Sequence, residues 1–237
     1  MNALHGLRIV LTRPAGQTAL IAARIRAAGG EVLTLPLLDI IPPTEAVVPE
    51  VLQAQMARAD EVVFISPNAV RMALQVLPAA DWPPDCGLVA VGQGTARALR
   101  EAGVARVRAP VDGADSEGVL AMPAFQHVEG RRVLLVRGEG GRELLAQSLS
   151  VRGAQVEHAV VYRRRARPPC VSSLRQHERL LFVVTSSEAL RTLAGAAQSA
   201  DDAAWLKRQT WVFAHPRIAR LAETLGLNRG MIAPSPE

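Results

Sequence analysis

The chain has 237 residues, 49% hydrophobic and 21% charged, with a formal net charge of +5, enough to bury a substantial core in one or two domains. Lys207 is the only lysine, so the positive charge is arginine, whose planar fork suits carboxylates and phosphates; an aromatic content of 3% and scattered arginines argue against a nucleic-acid partner. No apolar run reaches the roughly 20 residues of a membrane helix, the opening MNALHGLRIVLTRP lacks a signal-peptide layout, and Cys86 with Cys170 makes neither a disulfide framework nor a metal knuckle, so no membrane partner and a reduced, cytoplasmic setting are expected.

Residues 7–11 (LRIVL) form a short β-rich run of the kind buried on both faces of a parallel sheet. Thr12 to Gln17 then turn into an Ala-rich helix over about 17–28, closed by Gly29 and Gly30. A strand at 31–35 leads into an extended stretch, 32–43 (VLTLPLLDIIPP), which stops at a Pro pair. A helix near 45–57, a strand at 61–65 and a helix opened by Ser66-Pro67-Asn68 follow, with Pro67 suited to the first turn. Next come a strand at 87–91, the loop Gly92 to Thr95, a helix at 96–102, a strand at 105–109, and a short helix at 118–121 after Asp115-Ser116-Glu117.

From there the pattern restarts. The strand 132–136, Arg137 to Gly141 and a helix at 142–151 echo the opening unit. A second extended stretch, 156–169 (VEHAVVYRRRARPP), again ends in a Pro pair and carries Tyr162, the only tyrosine, followed by three arginines. The strand 180–184 with Thr185-Ser186-Ser187 and a helix at 188–197 echo the Ser66 unit; the strand 211–213 with His215 and a helix at 218–225 echo the Gly92 unit. Arg13 to Arg137, Ser66 to Ser186 and Gly103 to Gly226 all repeat at a spacing of about 120 residues, too long for a solenoid. The spacing predicts a duplicated α/β lobe with parallel sheets and two crossings between lobes; the last helix of the first half has no counterpart in the second, where 232–237 stand just where it should begin.

In open parallel sheets ligands collect beyond the carboxyl ends of the strands. Those ends hold Thr12, Arg13, Ser66, Gly92 to Thr95, Ser116, Arg137 to Gly141, Thr185 to Ser187 and His215, each feeding a helix N-terminus. One such end contributes only about 0.3–1 kcal/mol toward an anion, and its hydroxyls read equally well as helix caps. Several together, with arginines, suit a polyanion. Gly138-Glu139-Gly140-Gly141 is not G-x-G-x-x-G, no P-loop or G-x-S-x-G occurs, Lys207 lies in a polar helical stretch, and the five histidines make no i, i+4 pair. No metal site is expected. Tyr162, a lone phenol beside a basic cluster at a lobe boundary, is where chemistry is expected.

The ordered set VLTRPAGQ, FISPNAV, AVGQGTARAL, SEGVL, VLLVRGEGGRELL, VVYRR and TSSEAL resembles the uroporphyrinogen-III synthase family over essentially the whole chain, short of a last helix. The resemblance implies two similar flavodoxin-like α/β domains with parallel sheets, 1–37 plus 165–237 and 43–159, joined by a two-stranded β connector at 38–42 and 160–164. It implies a monomeric lyase of the hydro-lyase type that uses no cofactor and takes a linear tetrapyrrole polycarboxylate, hydroxymethylbilane. Loss of the hydroxyl gives an azafulvene, which joins the already substituted carbon of ring D; the spirocycle fragments and recloses to uroporphyrinogen III. Carried to matching positions, Tyr162 assists the departing hydroxyl. Arg13, Ser66, Thr95, Ser116, Arg137, Thr185, Ser186 and His215 line a cleft and hold carboxylates, largely through main-chain N–H, and the lobes close about the connectors. The rival expectation is a non-catalytic two-lobe cytoplasmic sensor of an anionic metabolite.

Overall fold

The computed structural model describes residues 3–84, 86–111, 115–141 and 143–233. Residues 234–237, within the stretch where the missing last helix would begin, and Arg142, the expected start of a helix, lie outside the described residues.

In chain order the elements are β1 (Arg8–Leu11), α1 (Ala19–Ala27), β2 (Glu31–Thr34), β3 (Leu38–Ile41), α2 (Pro49–Arg58), β4 (Glu61–Phe64), α3 (Pro67–Val76), β5 (Leu88–Ala90) and α4 (Gln93–Glu101). They continue with α5 (Ser116–Ala121), β6 (Arg132–Gly138), α6 (Leu144–Val151), β7 (Gln155–Ala166), α7 (Val171–Leu174), β8 (Leu181–Val184), α8 (Ser187–Gly195), α9 (Ala200–Arg208), β9 (Thr210–Phe213), α10 (Pro216–Thr224) and β10 (Gly230–Ile232). The protein is mixed α/β and folds as two units, Met1–Asp39 with Arg165–Glu237, and Ile40–Arg164.

The first unit carries the sheet β2-β1-β8-β9-β10, parallel throughout. The second carries β3-β7-β6-β4-β5, in which β7-β6-β4-β5 is parallel. Strand alternation fills both faces of each sheet, as parallel strands require. In the first unit Val10, Phe182 and Val184 face one core, while Ile9 and Leu11 pack with Ala22 and Ile25 of α1 on the other side. In the second unit Val62, Phe64, Leu134 and Val136 face one core, and Val63, Val133 and Leu135 the other. Rings add specific geometry: Phe182 stacks on Trp211 at 4.8 Å, and Phe64 on Trp82 at 5.3 Å, each pair contributing about 0.5–1.5 kcal/mol beyond area.

The duplication is visible in these strand orders, and it is exchanged between the units. The first unit combines β1-α1-β2 of the first repeat with β8, β9 and β10 of the second. The second unit combines β6-α6-β7 of the second repeat with β4 and β5 of the first. Numbered within a repeat, both sheets run second, first, third, fourth, the order of flavodoxin-like folds. The fifth place is held by β10 in one unit and, in the other, by a single bridge from Val89 to Arg108.

Several expectations shift. The strand expected at 105–109 reduces to that one bridge, with Arg106, Arg108 and Ala105 exposed. The helix expected near 45 starts at Pro49, because Val48 is extended and Pro49 takes the first turn. Helix α4 starts at Gln93, so the expected Gly92–Thr95 loop is the helix's own first turn. The stretch before the second Pro pair is one 12-residue strand, β7, hydrogen-bonded to β3 and crossing from one unit to the other after Arg164. On that strap Asp39 takes ion pairs from Arg165 at 3.0 Å and Arg167 at 3.6 Å.

At the amino edge of the second sheet Glu61, 3% exposed, is gripped by Arg108 and, at 3.0 Å, by Arg131. Both arginines keep access to water, so removing the charge strands no buried cation; the lost charged hydrogen bonds set the scale. Glu61→Gln should lower stability by about 1.5–3 kcal/mol, read as a lower urea midpoint at unchanged slope. An unchanged midpoint would show the buried carboxylate to be idle.

Candidate active site

In the second unit the carboxyl end of β4 and the stretch of β7 beside the end of β6 bring two expected residues together, Ser66 and Tyr162. Ser66 is extended (φ −161°, ψ 161°) and caps α3: its Oγ accepts the Ala69 N–H at 3.1 Å. The same Oγ stands 3.2 Å from Oη of Tyr162. A Ser cap is worth about 1 kcal/mol to the helix, so this hydroxyl is fixed from the helix side before it meets the phenol.

Tyr162 reaches Ser66 through an irregularity in β7. The register pairs Arg137 with Val160 and then Gly138 with Tyr162, leaving Val161 as an extra residue. Ala159 and Val161 face one core, and simple alternation would send Tyr162 to the opposite face. The bulge returns it to the same core, where it is 5% exposed. Its ring lies over Gly138, where a Cβ would stand 2.5 Å from Cζ.

Arg137, one place before Gly138 on β6, alternates to the other face of the sheet, and its fork is already engaged. It is 8% exposed, and its two terminal nitrogens bond Glu143 at 3.0 and 2.8 Å while one reaches the Gly140 carbonyl at 2.6 Å. Gly140 (φ 65°) and Gly141 (φ 102°) supply the left-handed turn that lets the loop fold back onto this guanidinium. The Arg137 hydrogen bond holds the Glu143 carboxyl below its ordinary value, against a smaller opposing effect of burial. Burial, then the Arg137 charge, pushes the nearby His158 imidazole down. Glu139, one residue past β6, accepts the Thr44 N–H, and that bond holds its carboxyl low.

The remaining expected residues occupy strand ends without a shared constellation of this kind. Thr95 is the third residue of α4 and 4% exposed, the cap being Gly92. Ser116 is the first residue of α5, whose cap is Asp115, accepting the Gly118 N–H at 3.0 Å. In the first unit Thr12 donates to the Val183 carbonyl at 2.7 Å, joining the ends of β1 and β8. Arg13 is exposed and makes no hydrogen bond or ion pair to a described residue. Ser186 caps α8, accepting from Glu188 and Ala189, and Thr185 is half-buried just before it. The next residue, Ser187, has a buried Oγ with no hydrogen-bond partner among the described residues. His215 caps α10: Nδ1 accepts the Arg217 N–H at 3.1 Å, which in the neutral ring puts the proton on Nε2. Among the described residues no group of three His, Cys, Asp or Glu could hold a metal ion.

A family model described as uroporphyrinogen-III synthase HemD matches residues 19–237. The chain belongs to the uroporphyrinogen-III synthase family. The uroporphyrinogen-III synthase of Salmonella typhimurium is 32% identical over 226 residues, 93% of this chain and 92% of that protein. That of Escherichia coli is 30% identical over 228 residues, with 93% and 92% covered. Two solved uroporphyrinogen III synthases share the synthase fold seen here. That of Helicobacter pylori aligns at TM-score 0.63 and 17% identity, covering 98% of this chain and 94% of that one. A Thermus thermophilus mutant aligns at 0.60 and 18% identity, with the same coverage. No helix among the described residues of this synthase-family chain is long and apolar enough to cross a membrane.

Gly138 and Glu143 were missed from sequence. Gly138 was read only as part of a glycine-rich loop, and no periodicity pairs Arg137 with a carboxylate six positions on.

Because the folded Glu143 carboxyl is held below its ordinary 4.5, its contribution to stability is present above that value and is lost as pH falls through the lower folded value. Glu143→Gln should therefore lower the urea midpoint at pH 7 and lose less than the parent between pH 5 and about pH 3. Parallel pH profiles for the two proteins would show that the pair contributes nothing.

Proposed function

We propose that the chain converts hydroxymethylbilane to uroporphyrinogen III in tetrapyrrole biosynthesis, with inversion of ring D. The observation that carries the reading beyond family membership is the Ser66–Tyr162 contact at the carboxyl edge of a parallel sheet. Ser66 Oγ already accepts the Ala69 N–H. When its own proton turns to Tyr162 Oη, the phenol proton is left for a third group.

Tyr162 gives that proton to the terminal hydroxyl of the substrate, which departs as water and leaves an azafulvene. The substituted α-carbon of ring D adds to the azafulvene carbon, forming the spirocycle. Its older bridge bond then breaks, and the freed methylene carbon bonds to the other α-carbon of ring D, which loses its proton. The proton lost at closure balances the one given to the leaving water. The Ser66 O–H and, behind it, the Ala69 N–H stabilise the phenolate in the interval.

The substrate's carboxylates call for donors and positive charge. Exposed Arg13, and the first turns capped by Ser66, Gly92, Asp115, Ser186 and His215, are suited to them, with Thr95, Ser116 and Thr185 in or beside those turns. Arg137 serves through the loop it holds with Glu143. Since the spontaneous closure yields the uninverted isomer, the protein's main task is to impose geometry and keep water from the azafulvene. A sensor without turnover would need no phenol held this way.

Purified protein supplied with hydroxymethylbilane, followed by oxidation and separation of isomers, should give predominantly type III; type I alone would overturn the function. Tyr162→Phe keeps the ring on Gly138 and removes the donor, so its rate should fall by about 10²-fold, the lower range for general-acid assistance, while Tm falls by no more than about 2–4 °C for the lost hydrogen bond. An unchanged rate would remove Tyr162 from the chemistry.

A further inference from the structure

We infer that Gly138 is a positioning residue for Tyr162: with the β7 bulge it forms a notch that seats the phenol on Ser66. The inference rests on the proposed role of Tyr162. On β6, Leu134 and Val136 face the core that also holds Tyr162, and Gly138 is next in that alternating series. A side chain there would occupy the space the ring now fills. A Cβ at Gly138 would stand 2.5 Å from Cζ, 2.7 Å from Cε2 and 2.9 Å from Cε1 of Tyr162, with the ring as its three nearest neighbours. Carbon atoms in contact sit about 3.5–4.0 Å apart, so the ring would have to retreat by about 1 Å.

The backbone itself does not demand glycine at this position. Gly138 is absent from the positive-φ residues, unlike Gly140 and Gly141 two and three places on. Its requirement is therefore steric and comes from one partner. The register shift supplies the other half of the device: if β7 ran on in regular alternation past Val161, Tyr162 would point to the opposite face of the sheet, away from Ser66. Beyond the notch, the Glu139 N–H donates to the Tyr162 carbonyl at 2.7 Å, holding the two strands together directly after the bulge.

Misplacing a reacting group by 1 Å can cost about 10²-fold, so Gly138→Ala should reduce uroporphyrinogen III formation by about that factor. Growth on 3-fluorotyrosine places the fluorine label at position 162 alone, since the chain has one tyrosine. Gly138→Ala should move its resonance, whereas Gly195→Ala, with nothing within 4 Å of its Cβ position, should leave both resonance and rate unchanged. In a Tyr162→Phe background Gly138→Ala should cost no further activity. The fold is read separately: Gly138→Ala should lower Tm by about 2–10 °C in the parent and by clearly less in Tyr162→Leu, which lacks the Cε and Cζ atoms. A Gly138→Ala protein that folds only in the Tyr162→Leu background supports the notch. Equal Tm losses in both backgrounds, or an unmoved fluorine resonance, would overturn it. Should Tyr162→Phe retain full rate while Gly138→Ala still shifts the resonance, the notch stands and the proton-donor reading falls.

Discussion

A parallel sheet covered on both faces leaves few places for polar chemistry. Here Val10, Val62, Val63, Val133, Leu134 and their neighbours fill both cores of their units. The capping hydroxyls and the unpaired N–H groups of the helices that follow the strands are thereby gathered at the carboxyl edges, where strands end and helices begin. Tyr162 is the exception that gives this edge its character: a large ring taken into the core, with its hydroxyl delivered to a helix cap. That delivery depends on one register shift in β7 and one missing side chain on β6.

The exchange of repeat pieces explains why the strap matters. Each unit takes its first β-α-β from one repeat and the rest of its sheet from the other, so the chain must cross twice. β7 is both the second strand of its sheet and the crossing itself. The residue that bears the phenol therefore belongs to the core of one unit and lies three positions before the other begins. Asp39 bridging Arg165 and Arg167 ties the end of this strand to the strand that crosses the other way.

Much of the fold was legible in the sequence, because parallel strands buried on both faces leave continuous apolar runs and Gly or Pro marks most helix ends. The Ser66-Pro67-Asn68 start was readable because Pro at the first turn and Ser before it each have a local cause. The strand expected at 105–109 failed for the complementary reason: an alternating run at a sheet edge carries the signal whether or not it pairs. Tyr162 stood out as a lone phenol beside arginines. Its seat did not, since a bulge inserts a residue without any compositional mark and a notch glycine looks like a loop glycine. Arg137 was picked for its charge, yet whether a buried guanidinium is free or already answered by Glu143 depends on the loop that brings them together. No pattern along the chain records that.

The central claim is that the Tyr162 hydroxyl meets the tetrapyrrole. With tyrosine labelled by carbon-13 at Cζ the protein has one such resonance, and titration with uroporphyrinogen III should move it, in step with occupancy and reversibly. A resonance that stays in place while a separate method shows the product to be bound would contradict the account.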